Sequence, residues 1–472
     1  MAEPRRAPLW TAQEIVSSIG GRLAGMSFDV AGVSIDTRTL EPGDLFVALK
    51  GERDGHAFVR DAFKAGAAGV LASQPVDGPH IEVPDTFVGL QRMGIVGRER
   101  CGARRGAVTG SVGKTSVTQA VKAGLALAGP AHGSVKSYNN DIGVPLTLAR
   151  MPRETARAVF EIGMNHAGEI EPLSKLVKPD AVAITTVGAV HTEAFADGEA
   201  GVARAKAEIF AGLKPGGAAV LNADDRWFDF LKGEAKAAGA RVVSFGAGEG
   251  CDARLLGFQA GEGGAVVRAA IHGRPVEFPI LQTGAHWGPN SLCVLLLLEA
   301  LDVGLDLGVQ ALGAFEPLAG RGTERTVQGP AGAFVLIDES YNANPLSMRA
   351  ALKSLGACRA EGRKIAVLTD MLELGADAAR AHAELAAPIA EAGVDLVFCA
   401  GPLMRGLWDA LPTGRKGAYA DTAAKLAPDV TSAVRAGDAV MVKGSNGSKA
   451  GLIAQALGKL GDTALAEARG NA

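Results

Sequence analysis

A run of ten residues in the first quarter of the chain, Ala107-Val-Thr-Gly-Ser-Val-Gly-Lys-Thr-Ser116, has the makeup of a phosphate cradle. An apolar stretch enters a glycine-rich turn, a Lys-Thr pair leaves it, and a helix-compatible segment follows over 116–128. Glycines let backbone N–H groups crowd around phosphate oxygens, and the start of a helix adds a positive dipole end. Gly110, Ser111, Val112, Gly113, Lys114, Thr115 and Ser116 are therefore the candidate nucleotide-binding residues. Lys114 suits the β- and γ-phosphates, and the Thr115 hydroxyl suits Mg²⁺. Val108 stands where the pattern G-x-x-x-x-G-K-[ST] has its first glycine, so Gly110 takes over the turn. The plain alternative is an ordinary glycine turn before a helix; the order strand, turn, Lys-Thr, helix favours the cradle.

Other chemistry-bearing residues follow apolar runs. Glu161 closes an expected strand at 158–161, where open α/β sheets place ligands, and could complete the Mg²⁺ shell begun by Thr115. A solvated loop acid is the equal alternative. His191 trails the strand expected at 181–186. Lys206 lies on an amphipathic helix, beside its apolar stripe of Val202, Ala205, Ile209 and Phe210; most such lysines are solvated. His286 and Asn290 could contact a base or a phosphate, and Asn290 also suits the N-cap of a helix over 290–301. Asp338-Glu-Ser-Tyr-Asn-Ala-Asn-Pro345 closes a strand with several polar groups, although Asn-Pro turn chemistry explains Asn344 without function. Arg321, near a block boundary, could swing onto a γ-phosphate as a bidentate partner. Asp370, Glu373 and His382 are either substrate-side groups or plain loop residues.

The elements that must position these groups fall into three α/β blocks, 1–103, 104–315 and 316–472. A chain of 472 residues exceeds one core. The first block opens with a helix over 11–19, in which Thr11 and Glu14 have capping-box spacing. A strand at 45–49, a helix at 56–65 and a strand at 69–72 follow. The second alternates strands at 107–109, 158–161, 181–186, 218–222 and 241–245 with helices, the rhythm of a mostly parallel sheet covered on both faces. Over 253–280 the rhythm becomes an antiparallel appendage. The third repeats the α/β rhythm with strands at 334–338, 364–369, 396–400 and 439–442 and helices at 347–359 and 378–391. No G-x-G-x-x-G follows these strands, so dinucleotide binding is not expected.

Apolar residues make up 47% of the chain and charged residues 21%, the balance of a soluble globular protein. A net charge of −3 and 5% aromatic content argue against a nucleic-acid partner. The 5 scattered cysteines suit a reducing compartment. The first ten residues lack the apolar core of a signal peptide, and the longest apolar run, 292–298, is far too short to span a membrane. A cytoplasmic enzyme is expected.

Several segments together resemble the Mur ligases of peptidoglycan synthesis: Thr-Gly-Ser-Val-Gly-Lys-Thr-Ser, Tyr138-Asn-Asn-Asp-Ile-Gly-Val-Pro-Leu146, Glu161-Ile-Gly-Met-Asn-His166, Ala205-Lys-Ala-Glu-Ile-Phe210, Asp338–Pro345, Asp370-Met-Leu-Glu-Leu-Gly375 and Val442-Lys-Gly-Ser445. Ser-Tyr-Asn-Ala-Asn-Pro and Asp-Met-Leu-Glu-Leu-Gly resemble most the branch that handles a dipeptide. The resemblance implies a UDP-sugar-binding N-terminal domain, a central P-loop ATPase domain and a Rossmann-like C-terminal domain. It implies an ATP-dependent ligase joining D-alanyl-D-alanine to UDP-N-acetylmuramoyl-tripeptide through an acyl phosphate. A monomer is expected, although the sequence itself leaves the oligomeric state open.

Carried over by residue, the resemblance gives Lys114 and Thr115 the phosphates and a first Mg²⁺, with Glu161 as its carboxylate ligand. His191 falls to a second Mg²⁺. Lys206 matches a lysine that CO₂ carboxylates, which turns a cation into an anion. Asn290 is implied at the adenine, with Arg321 and Asp338 reaching ATP from the C-terminal domain. Ser34, Asp36, Thr37, Arg38, Lys50 and His56 are implied at the UDP, Asn139 and Asn140 at the muramoyl group, and Tyr341, Asn342 and Asn344 toward the dipeptide. A sister ligase adding one amino acid to a UDP-muramoyl peptide, or glutamate to a folate, is the alternative. The chain departs from the family pattern at Asn446, where Arg is usual, at Thr369, where Gly is common, and at Trp287-Gly288.

Overall fold

The computed structural model describes residues 8–135, 137–190, 192–261 and 263–470, with side chains to residue 461 except that of Thr192. Three sheets of five or more strands follow one another along the chain.

The first runs Arg22–Ala24, His80–Glu82, Gly69–Ala72, Asp44–Val47, Gly32–Ser34 across its width, parallel except at the Arg22–Ala24 edge. A two-stranded ladder joins Trp10–Thr11 to Asp29–Val30. The helix Ala12–Ile19 starts where its capping box says it should: the Thr11 hydroxyl accepts from the Glu14 N–H and the Glu14 carboxylate accepts from the Thr11 N–H. The segment expected as a helix at 56–65 is a 3₁₀ turn, Gly55–Phe58, leading into a short α-helix, Val59–Lys64.

The second sheet holds the phosphate loop. Its nine strands lie in the order Arg274–Ile280, Gly264–Ile271, Ala253–Gly261, Arg241–Gly246, Ala218–Asn222, Ala181–Ile184, Arg104–Thr109, Arg157–Glu161, Ala131–Gly133. Alternate residues of the central strands feed two cores. Val108, Val159 and Ala183 pack with the helices Lys114–Leu127 and Trp287–Ala300 on one face. Ala107, Phe160 and Val182 pack on the other with Ile170–Val177 and Glu199–Ala207. The expected appendage is part of this sheet: Ala253–Gly261 pairs in parallel with Arg241–Gly246, and only the outer two pairings are antiparallel.

The chain leaves Arg104–Thr109 for the edge at Ala131–Gly133, returns beside it at Arg157–Glu161, then crosses to Ala181–Ile184 on its other side. That reversal opens a crevice at the C-terminal ends of these strands, where doubly wound sheets take ligands.

The third sheet runs Thr323–Gly329, Gly332–Glu339, Ala439–Lys443, Lys364–Thr369, Leu396–Ala400, Lys416–Ala420, parallel apart from its first strand. The helix expected over 378–391 is two, Ala378–Ala383 and Ala386–Glu391. Pro388 explains the break. It has no N–H for a continuing helix, and restarting at Ala386 puts it in a first turn, where none is needed. The same logic moves a helix start: Trp287–Ala300 begins before Asn290, with Pro289 in its first turn and His286 at the N-cap position.

Candidate active site

The phosphate loop is pinned by the segment that follows the strand Ala181–Ile184. The Ser111 N–H donates to the Thr186 carbonyl at 2.8 Å, the Ser111 hydroxyl to the Gly188 carbonyl at 3.0 Å, and the Thr185 hydroxyl to the Val112 carbonyl at 2.6 Å. The approach is close enough to demand glycine: a Cβ on Gly110 would lie 1.9 Å from Thr185 Oγ1. Gly113, at φ 84°, turns the chain into the helix Lys114–Leu127 in a conformation other residues resist. Lys114 folds back over the loop, its ammonium donating to the Gly110 carbonyl at 2.7 Å. Thr115 and Ser116 are buried in the first helical turn.

Glu161, at the end of the adjacent strand, is 1% exposed. Its Oε1 accepts from Asn139 Nδ2 at 2.7 Å. Its Oε2 is buried with no hydrogen-bond partner. Burial pushes the Lys114 ammonium below its ordinary range; the Glu161 carboxylate opposes the shift and Arg321 adds to it. Lys206 is 2% exposed, and no described carboxylate lies within ion-pair distance of it. Burial, reinforced by the Lys114 cation, drives it well below the usual lysine range. The position expected beside an apolar stripe is thus inside the protein. Among the described residues no three His, Cys, Asp or Glu gather as a metal cluster. Mg²⁺ requires fewer: one or two protein oxygens plus substrate phosphates.

The third sheet reaches this crevice. Arg321 donates from Nη2 to Ser137 Oγ at 3.2 Å, and the Tyr341 hydroxyl donates to the same oxygen at 3.1 Å. Ser137 Oγ is also 3.2 Å from Thr115 Oγ1. The Arg321 guanidinium lies 4.0 Å over the Tyr341 ring. Asp338 accepts from the Ser340 N–H at 3.0 Å and lines, with Tyr341, Asn446 and Lys449, a cleft of about 310 Å³. Asn290 sits against the loop: a Cβ on Gly113 would meet its amide at 3.4 Å.

The structure therefore brings Lys114, Thr115, Glu161, Lys206, Asn139, Asn290, Arg321 and Tyr341 to one crevice. His191 lies outside the described residues. Other expected residues are spent locally. Asn344 caps the helix Pro345–Ala357 in a box with Ser347. Asn342 Oδ1 accepts from the Ala343 N–H at 2.9 Å, and Asn140 Oδ1 from the Gly143 N–H at 2.9 Å. His56 has both ring nitrogens engaged, with Asp54 at 2.5 Å and with the Ser73 N–H at 2.9 Å.

Ser34, Asp36, Thr37, Arg38, Lys50 and His56 stand apart from the phosphate loop, at the first sheet. The Arg38 side chain pairs with Asp36 at 2.6 Å and holds that carboxyl below its usual range. A cleft of about 820 Å³ opens nearby, lined by Val33, Thr39, Glu41, Tyr138 and Arg150 among others.

Reasoning from sequence missed Ser134 and Ser137. Ser134 Oγ accepts the Glu161 N–H at 3.0 Å and so fixes the acid. The one available signal was their place just before Tyr138-Asn-Asn. It also missed Glu339, which pairs with the buried Lys443 at 3.2 Å.

Models of three Mur ligase domains match this chain: the family's catalytic domain over residues 29–88, the middle domain over 108–298 and the glutamate ligase domain over 324–446. The UDP-N-acetylmuramoyl-tripeptide--D-alanyl-D-alanine ligase of Rickettsia prowazekii is 30% identical over 446 residues, 93% of this chain and 98% of its own. The chain belongs to the Mur ligase family. The ligase of the same name from Escherichia coli is 34% identical over 395 residues, covering 83% of this Mur ligase and 86% of its own length. The crystal structure of MurF from Acinetobacter baumannii superposes with a TM-score of 0.83 at 28% identity, over 95% of this chain and 99% of that one. Among the described residues no helix is long and apolar enough to cross a membrane.

Proposed function

We propose that this Mur ligase joins D-alanyl-D-alanine to UDP-N-acetylmuramoyl-tripeptide at the expense of ATP, a step of peptidoglycan synthesis. The terminal carboxylate of the tripeptide attacks the γ-phosphorus and ADP leaves. The dipeptide amine then attacks the acyl phosphate carbonyl, the C–O bond breaks, and phosphate departs with that oxygen. A carboxylate is a poor electrophile and phosphate a good leaving group, so the protein's share is positioning and charge neutralisation.

One observation carries the reading. Arg321, in the turn just before the third sheet, and Thr115 from the phosphate loop meet at a single hydroxyl, in a chain matched nearly end to end by relatives bearing that activity. A phosphate-binding loop and a distant arginine converge where a γ-phosphate would sit.

In this reading Gly110–Ser116 hold the triphosphate, Lys114 neutralises its β- and γ-oxygens, and Arg321 approaches the γ-phosphate from the far side. Asn290 contacts the adenine and Asp338 the rest of the nucleotide. Thr115 Oγ1 and Glu161 Oε2 fit Mg²⁺: a buried carboxylate oxygen without a partner is a hard-cation ligand in waiting. Bound there, the ion would neutralise charge on the transferring phosphoryl group. His191 is assigned to a second Mg²⁺. Lys206 is carboxylated by CO₂. Its depressed basicity supports this, because only the neutral amine attacks CO₂, and the product anion no longer repels Lys114.

The UDP end falls to Ser34, Asp36, Thr37, Arg38, Lys50 and His56, the muramoyl group to Asn139 and Asn140, and the dipeptide to Tyr341, Asn342 and Asn344. His56, Asn140 and Asn344 act there through the loops they order. The three units are 1–103, 104–315 and 316–472, each enclosing one of the three large sheets. The enzyme works as a cytoplasmic monomer.

Phosphate release from ATP tests this. It should require both the UDP-muramoyl tripeptide and D-alanyl-D-alanine. Release with the tripeptide and a single amino acid would favour a sister ligase instead.

A further inference from the structure

We infer that Ser137 and Tyr341 are positioning residues that seat Arg321 against the phosphate loop, resting on the ligase reading above. Three side chains from two lobes converge on one oxygen. Ser137 Oγ accepts from Arg321 Nη2 at 3.2 Å and from the Tyr341 hydroxyl at 3.1 Å. Two accepted bonds leave the Ser137 proton to donate to Thr115 Oγ1, 3.2 Å away. A hydroxyl offers one donor and two acceptor sites, so this arrangement uses all of them.

Arg321 and Tyr341 behave as one wedge. The guanidinium lies 4.0 Å over the ring, and the Tyr341 N–H donates to the Gly320 carbonyl at 3.0 Å. The Arg321 N–H is held by the Leu318 carbonyl at 2.9 Å, and the Gly322 N–H by the Asp338 carbonyl at 2.9 Å. Gly320 leaves room for the stack: at φ 71°, a Cβ there would come within 3.1 Å of the Tyr341 Cβ. The wedge can thus arrive at the crevice as a unit, with little rotamer freedom left to lose. Ser137, on the central lobe, is where it lands. Tyr341, assigned above to the dipeptide side of the cleft, thus also reaches the phosphate side through its hydroxyl.

Lost docking should slow the chemical step while leaving ATP affinity to the loop backbone. Ser137→Ala and Tyr341→Phe are each expected to lower dipeptide-dependent kcat by about 3- to 10-fold, the range of one hydrogen bond, with the KM for ATP moving less than about 2-fold. The double variant should fall no further than the worse single one, because both delete parts of the same contact. Ser137→Thr keeps the hydroxyl and should restore most of the turnover. Hydrogen exchange gives a readout independent of the reaction. In ligand-free protein, amides over 318–342 should exchange faster in Ser137→Ala and Tyr341→Phe alike, and at the original rate in Ser137→Thr.

Losses that multiply in the double variant, a Ser137→Thr protein as impaired as Ser137→Ala, or unchanged exchange over 318–342 would each overturn the inference. A wild-type enzyme with no dipeptide-dependent turnover but the expected exchange pattern would overturn the ligase reading and leave the docking standing.

Discussion

Glu161→Gln should make the metal-free protein more stable and the enzyme nearly inactive. The carboxylate is 1% exposed. One oxygen takes a hydrogen bond from Asn139 at 2.7 Å, and the other takes none. Leaving a buried charged acceptor unmet costs about 1–3 kcal/mol. A glutamine keeps the Asn139 bond through its carbonyl and removes the charge. Against that gain stand the lost attraction to Lys114 and the need of the new amide N–H for an acceptor, so the net gain is roughly 1–2 kcal/mol. In a lobe of this size that raises the melting temperature by roughly 2–8 °C.

Mg²⁺ with ADP should reverse the order. A ligand at a hundred times its Kd stabilises by about 2.7 kcal/mol, and the variant would forgo most of that. Turnover should drop by about a hundredfold or more, because several kcal/mol of phosphoryl charge stabilisation depend on the ion. Thermal unfolding of both proteins across a Mg²⁺ series, beside steady-state turnover, measures all of this. A variant less stable than wild type without metal, and equally stabilised by Mg²⁺–ADP, would show that the free oxygen awaits no cation.

Two further expectations follow. Lys206→Ala should lose about a hundredfold or more in turnover and regain part of it with added formate or acetate, which replaces the missing anion at the site; no recovery in the phosphate-release assay would remove the carboxylated lysine from the account. His132 is held neutral by burial, its pKa pushed down to about 4, while Nε2 donates to the Thr147 carbonyl at 2.7 Å. The unfolded chain then binds more protons between about pH 6.5 and 4, so stability should fall with pH across that window, by about 1.4 kcal/mol per unit from this one group. Denaturant titrations at several pH values should show a shallower slope for His132→Gln, and an unchanged slope would contradict the assignment.

Much of the machinery could be read from residue order, because its signals are local. The phosphate loop is a strand, a glycine turn and a helix start within one stretch. Thr11 and Glu14 announced a capping box that needs only each other. What escaped depended on contacts between distant segments. Lys206 carries no mark of burial in a helix of small residues; its charged neighbour, Lys114, lies 92 positions earlier in the chain. Ser137 is an unremarkable serine until Arg321 and Tyr341, 184 and 204 residues on, arrive beside it. The helix breaks were legible in principle. Pro289 and Pro388 each lack the N–H that a longer upstream helix would need, and each fixes a helix start two residues before itself.

The central claim is that a tripeptide carboxylate is activated as an acyl phosphate before the dipeptide attacks it. Tripeptide substrate carrying ¹⁸O in its terminal carboxylate tests this most directly. With ATP and D-alanyl-D-alanine, mass spectrometry of the products should find one ¹⁸O in each released inorganic phosphate and the other in the new amide carbonyl. Phosphate free of ¹⁸O in a reaction that still forms the amide would contradict the account.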